Sequence, residues 1–289
     1  MITELAQKLE FPQKAIDELN VALDRVVASG LLGTLYDAMD KWYFDQIDDW
    51  NALMQQIAEK AGINRYTADM VFLLVAARPL AYVYKQNGLS EELYLAIMSD
   101  LRNKLIECYH MHGVWGIFVA WWFPWHYQLK RFALGRLQYE AIPASLDAPT
   151  LGVKKGDIVY NCHIPSSGPL TPESIQDSLR KAYQFYKDEL KDGRMVVTCT
   201  SWLLYTPIVE KLGERSNIKK FHDLFHIVDL HHSENNHDFW RVFYVDYSKE
   251  ALDTVKAESH LQRTLLDHLR AGGTMGEGVG YLIVDESFS

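Results

Sequence analysis

The spacing of apolar residues changes once along this chain, and the change limits what it can fold into. From Met1 to about Tyr127 apolar residues recur every three or four positions. Ile16, Leu19, Ala22, Leu23 and Val26 make one such stripe, and others run from Trp50 to Ala61, Thr67 to Tyr84 and Ser90 to Cys108. That period belongs to helices with one buried face. Beyond Gln128 the apolar runs are short and bounded by Gly, Pro and Asp, the texture of strands joined by turns. A chain of 289 residues with 48% hydrophobic content is long enough for two cores. We therefore expect an α+β protein: an all-α domain over residues 1–128 and a mixed α/β sheet domain over residues 129–289.

Local signals bound the helices of the first half. Ser90, followed by Glu91 and Glu92, is a helix start, Gly62 and Gly88 are stops, and Pro12 suits a first turn; four to six helices are expected. The apolar run Val114 to Trp125 is roughly half the length of a membrane span, for which about 20 residues are needed. It reads as a buried helix or a domain junction, and no membrane association is expected.

Charge and cysteine usage exclude other classes. Against 29 Lys and Arg stand 38 Asp and Glu, a net charge of −9 with both signs scattered, so nucleic acid is not an expected partner. Cys108, Cys162 and Cys199 are odd in number and far apart, which argues against a disulfide framework and for a reducing cytoplasm. Met1 to Glu10 lacks the basic and then apolar pattern of a signal peptide.

In the second half the expected order is strand Arg131–Ala141, strand Ile158–His163, helix from Thr171-Pro172, strand Met195–Leu203, helix Thr206–Leu212, strand Phe225–His231, helix Ala257–Arg270 and strand Gly280–Val284. Thr171 caps its helix, with Pro172 at the first position. Crossover helices imply a mixed sheet with binding at the strand ends.

Polar and reactive residues gather at those ends. His163 closes its strand before the turn Ile164 to Pro169, where an imidazole can act as general base or simply bond the turn. Arg136 and Glu140, four apart on one strand face, can be a buried ion pair or a substrate clamp with Glu140 as base. Ser201 ends its strand and can donate a proton, although no G-x-S-x-G elbow surrounds it. Cys199 is either a nucleophile or, more in keeping with its neighbours, a small buried packing residue. Histidines 222, 226, 231 and 232 cluster; the four-residue spacing of His222 and His226 would present two metal ligands on a helix, but Phe225 to His231 alternates like a strand and no H-E-x-x-H is present, so no metal is expected. Gly272 and Gly273 suit a helix C-cap, and Gly276, Gly278 and Gly280 suit turn or close-packed strand positions, better than a phosphate loop. Gln262 and Arg263 reach either substrate or surface.

Together Arg136-Leu-Gln-Tyr-Glu140, Gly156-Asp157, His163-Ile-Pro165 with Gly168-Pro-Leu170, Cys199-Thr-Ser-Trp-Leu-Leu204 and Leu261-Gln262-Arg263 resemble a bacterial family of acyltransferase domain-containing proteins. Its members pair a helical N-terminal domain with a domain similar to the Gcn5-related N-acetyltransferases (GNAT). The resemblance implies transfer of an acyl group from acyl-coenzyme A, as co-substrate, to an amine or hydroxyl of a small-molecule acceptor. The pantetheine arm would then lie between Met195–Leu203 and Phe225–His231, read as adjacent parallel strands whose free amides bond the thioester carbonyl. It makes His163 or Glu140 the base and Ser201 a donor to the departing thiolate. Arg136, Trp202, Gln262 and Arg263 fall on the substrate side, and Cys199, Leu203 and Leu204 on the donor side. At the junction Leu203 to Ile208 the superfamily's Arg/Gln-x-x-Gly-x-Gly/Ala loop is missing. Either the donor's phosphates are held differently, or the donor is not coenzyme A; the alternative reading is a non-catalytic binding module on a degenerate GNAT-like fold. The sequence leaves a homodimer open.

Overall fold

A computed structural model describes residues 2–43 and 49–288, which divide into two compact units at Ala133/Leu134. The first unit is helical: α1 (Thr3–Lys8), α2 (Gln13–Ala28), α3 (Leu32–Tyr43), α4 (Trp50–Ala61), α5 (Arg65–Gln86), α6 (Glu91–His112) and the short α7 (Pro124–Tyr127). The expected α2 stripe is its buried face. Helix starts follow side-chain chemistry: Asp49, Asn64 and Ser90 each accept a first-turn backbone N–H. Gly62 and Gly113 end α4 and α6 with left-handed backbone, whereas Pro12 precedes α2 as its cap residue.

Helix α5 is buried almost all round from Thr67 to Ala77 and forms the centre of this unit. By length and composition it is apolar enough to cross a bilayer, and 67% of that stretch is buried inside the unit, as in a core helix. The run Val114 to Trp125, expected as a buried helix or junction, is irregular chain with one 3₁₀ turn at Ala120–Trp122. Gly116 decides its path, since a Cβ there would meet the Tyr66 backbone at 2.5 Å.

The second unit is built on a six-stranded mixed sheet in the order β1-β2-β3-β4-β6-β5. The strands are β1 (Arg131–Leu134), β2 (Leu137–Pro143), β3 (Ile158–His163), β4 (Met195–Ser201), β5 (His226–His232) and β6 (Gly276–Val284). Between them run α8 (Pro172–Tyr186), α9 (Thr206–Val209), α10 (Asn217–His222), α11 (Trp240–Phe243), α12 (Lys249–Thr254) and α13 (His260–Arg270). The chain is thus α+β, with a helical part followed by a mixed sheet domain.

Two sequence expectations change here. Arg131–Ala141 is two strands, because Gly135 takes φ +80° and turns the chain between them. Arg136 therefore lies in a turn, off the strand face that carries Glu140. The strands Met195–Ser201 and His226–His232 are also not neighbours, since β6 lies between them and pairs antiparallel with both. Glycines at alternate positions let β6 fit there. A Cβ on Gly278 would lie 2.1 Å from the Leu204 carbonyl oxygen, and one on Gly276 2.4 Å from that of His231.

Candidate active site

Strands β2 and β3 are antiparallel with Gln138 opposite His163 and Glu140 opposite Asn161. Residues two apart share a sheet face, and so do registered partners, which puts these four polar side chains on one face. Their alternates Tyr139, Tyr160 and Cys162 face α8: the Tyr139 hydroxyl lies 3.2 Å from Ser178 Oγ, and the Tyr160 and Tyr186 ring centroids are 4.4 Å apart, the rings tilted by 42°.

On the polar face His163 Nε2 lies 2.8 Å from Glu140 Oε1, and the Asn161 amide donates to the same oxygen at 3.1 Å. Glu140 is 4% exposed, so its carboxylate takes its partners from the protein rather than from bulk water. With Nε2–H donating to Glu140, the neutral imidazole carries its lone pair on Nδ1, the atom able to accept a proton. Gln138 Oε1 is buried and has no hydrogen-bond partner among the described residues. It is the acceptor opposite His163 that sequence reasoning passed over; the alternation of Gln138 with Glu140 was the available signal.

The sheet is incomplete beside this cluster. Parallel strands β3 and β4 are registered only at Tyr160/Val197 and Asn161/Thr198, although β3 runs on to His163 and β4 to Ser201. The ladder between them stops before either strand ends. This interruption lies between β3 and β4, and corrects the expectation that the cleft separates β4 from β5.

The chain leaving β3 is shaped by Arg136. Its guanidinium donates to the carbonyl oxygens of Pro165 at 2.9 Å, Gly168 at 2.7 Å and Pro169 at 3.3 Å. Burial lowers its pKa from the usual arginine value. It binds neither Glu140 as an ion pair nor the strand face, but ties down the loop that leads to α8. There Thr171 caps the helix and Pro172 occupies the first position, as expected, with Glu173 in the first turn.

The remaining candidates lie elsewhere. Ser201 Oγ accepts from Leu203 N at 3.1 Å, capping the 3₁₀ turn Trp202–Leu204. Alternation along β4 places it on the α8 face, opposite to His163. Cys199 is 1% exposed and its thiol bonds that of Cys162, whose pKa is pushed well up by this bond and by burial. Leu203 and Leu204 are buried, and Trp202 packs against the core around Tyr205, Phe239 and Leu265. The Gln262 side chain completes the capping box of α13 and donates to Val242 O, while Arg263 is exposed.

His222 closes α10 and His226 opens β5, so no single helix presents them together. Two groups, Glu210–His222–Asp223 and His237–Asp238–Glu277, bring ligand atoms within 4.8 Å of one another. In the first, Lys219 Nζ already lies 2.7 Å from Asp223 and 3.5 Å from Glu210. In the second, Arg241 Nε bonds Asp238 at 2.6 Å.

Residues 131–282 match the family described as the GNAT-like C-terminal domain, and residues 1–129 the N-acyltransferase N-terminal domain. The chain belongs to this acyltransferase family. Among solved structures, an acyltransferase in complex with decanoyl-CoA superposes with a TM-score of 0.75 at 24% identity, over 96% of this chain and 86% of that one. An acyltransferase in complex with decanoyl-CoA and teicoplanin gives 0.73 at 20% identity, over 97% and 86%. At such identities the likeness shows the fold. No match was found among curated proteins. Family membership fixes the GNAT-like sheet as the frame in which β3, β4 and the His163–Glu140 pair are placed.

Proposed function

We propose that the interrupted ladder between β3 and β4 seats the thioester arm of an acyl-coenzyme A, and that His163, held by Glu140, deprotonates an amine or hydroxyl acceptor. The observation that carries this is the placement of the 2.8 Å His163–Glu140 pair at the end of β3, where registered pairing with β4 has already stopped. Unpaired backbone amides at that edge can bond the thioester carbonyl and stabilise the oxyanion of a tetrahedral intermediate. The acceptor's nitrogen or oxygen bonds to the acyl carbon as its proton passes to His163 Nδ1. The C–S bond then breaks, and the imidazolium returns the proton to the departing thiolate. Glu140 stabilises the imidazolium in between. Ser201 is the weaker candidate for the thiolate's proton, being on the other face.

The loop Ile164–Thr171, pinned by Arg136 and containing Gly168, follows β3 directly and is the segment we assign to the donor's phosphates. It takes the place of the glycine-free Leu203–Ile208 junction, and with it goes the main support for a non-catalytic binding module. Solved structures of the same fold hold decanoyl-CoA or octanoyl-CoA, one of them together with teicoplanin, and another holds CoA with 10C-teicoplanin. Three buried free thiols agree with a cytoplasmic location, where acyl-coenzyme A is made.

The test is thermal unfolding with and without decanoyl-CoA, followed by thiol release assays with amine and alcohol acceptors. Saturating ligand at 100 times its Kd should stabilise the fold by about 2.7 kcal/mol. No shift with any acyl-coenzyme A would remove the donor assignment.

A further inference from the structure

The structure assigns a divalent metal site, of the kind that takes Zn²⁺, to His237, Asp238 and Glu277 at the end of the sheet. Its parts come from two segments. After β5 the chain makes a tight loop in which Ser233 N–H donates to Met275 O at 2.9 Å, and Met275 N–H donates to Asn236 Oδ1 at 2.7 Å. These bonds lay the turn His237–Phe239 against the first residues of β6, where Glu277 stands. One ligand atom from each of His237, Asp238 and Glu277 then lies within 4.8 Å of the other two.

Asp238 is the residue that points to a cation. It is 3% exposed, and Arg241 Nε holds its Oδ1 at 2.6 Å. Its Oδ2 is buried with no hydrogen-bond partner among the described residues, although His237 Nε2 lies only 3.3 Å away. Two ligand atoms at about 2.0–2.1 Å from a tetrahedral Zn²⁺ stand roughly 3.3–3.4 Å from each other, so the pair has the spacing of one edge of such a site. His237 Nδ1 lies 2.9 Å from Ser233 Oγ, the outer contact that orients a ligating imidazole, as Arg241 orients the carboxylate. A bare ion fits between side chains without a cavity for an organic ligand, and it enters past His237, whose side chain is 62% exposed.

The other histidine–carboxylate group shows the same problem solved from within. In Glu210–His222–Asp223 the Lys219 ammonium stands 2.7 Å from Asp223 and 3.5 Å from Glu210, and supplies the positive charge itself. Arg241 reaches only the far oxygen of Asp238, and a cation beside Oδ2 offsets the repulsion between the Asp238 and Glu277 carboxylates. One imidazole with two carboxylates suits Zn²⁺ better than Mg²⁺ or Ca²⁺, which take oxygen ligands. Register through Thr198 and Tyr281 puts Glu277 on the sheet face of Asn161 and His163, but two strands away from them. The ion therefore clamps the loop after β5 to β6, and the assignment does not depend on the acyl-transfer reading.

Isothermal titration of ZnCl₂ into the full chain, stripped with a chelator and dialysed free of it, tests the assignment. The wild type should bind one Zn²⁺ per chain and melt at a higher temperature with Zn²⁺ but not with Mg²⁺. His237→Ala and Glu277→Gln should each weaken binding about tenfold or more, the least that loss of even an outer partner costs. Glu210→Gln, in the group that Lys219 fills, should leave it unchanged. Melting of the metal-free variants checks folding, and Asp238→Asn replaces Glu277→Gln if that variant does not fold. The assignment is overturned if the wild type takes up no Zn²⁺, if the carboxylate variant binds as tightly as the wild type, the mark of surface imidazoles alone, or if the loss follows Glu210→Gln instead.

Discussion

Two buried polar clusters, one in each unit, are handled in opposite ways. In the C-terminal unit the buried Glu140 carboxylate accepts from Asn161 at 3.1 Å and from His163 at 2.8 Å. In the N-terminal unit Asp69 Oδ1 and Trp50 Nε1 are buried with no hydrogen-bond partner among the described residues. Unmatched groups of this kind cost the fold about 1–3 kcal/mol each, whereas matched ones hold a side chain in a single orientation. A base that must take a proton at one defined atom needs the second arrangement. Gln138 is the exception beside the matched cluster, since its Oε1 is buried with no hydrogen-bond partner among the described residues.

The strongest way to break this contrast is His163→Ala. Acyl transfer should fall about 10²–10⁴-fold with donor affinity nearly intact, measured by thiol release and by titration with decanoyl-CoA. Equal losses in both would make His163 a structural residue. Glu140→Gln should lower kcat about 10–100-fold, and it should also move the acidic limb of the kcat/KM profile to lower pH, since an imidazolium without a carboxylate beside it is less stable. A profile that does not move would mean that Glu140 is only packing.

Arg136→Ala should weaken decanoyl-CoA binding about tenfold, because three loop carbonyls lose a charged donor. Calorimetry would expose the alternative, unchanged affinity with reduced stability. Asn161→Leu, which strips a donor from a matched carboxylate, should reduce unfolding free energy by about 1–3 kcal/mol, while Trp50→Phe, which removes an unmatched donor, should change it by less than about 1 kcal/mol. Urea melts that rank the two the other way would undo the comparison.

The smallest effect is a pH dependence in α6. Burial pushes the Cys108 thiol up to about 12, against a modest opposing hydrogen bond from the Gly116 backbone. Above about pH 9 the unfolded thiol has lost its proton while the folded one keeps it, so stability declines from there until the pH passes the folded value. Cys108→Val should make the alkaline decline shallower by up to about 1.4 kcal/mol per pH unit, read from urea melts between pH 8 and 10.

Much of the frame was legible in the residues. Ser90, Gly62, Thr171 with Pro172, and the bounds of β3 all follow from capping groups, backbone freedom and alternation, which act within a few residues of one another. His163 and Glu140 were each visible as base candidates. Their pairing was not, because it depends on the antiparallel register that sets Gln138 opposite His163 across the connection from Pro143 to Ile158. The short helices α10 to α12 escaped because four to six residues are too few to display a period.

The amino-acid order by itself determined the helical first half, the mixed second half and which side chains are candidates for chemistry, since periodicity, caps and turns are local. Tertiary structure alone decided that β6 enters between β4 and β5, that the ladder beside His163 is the one left incomplete, and that Glu277 meets His237 and Asp238. Those outcomes depend on which distant segments close upon one another, and the free energy of that choice is spread over the whole packed core rather than written in any short stretch of chain.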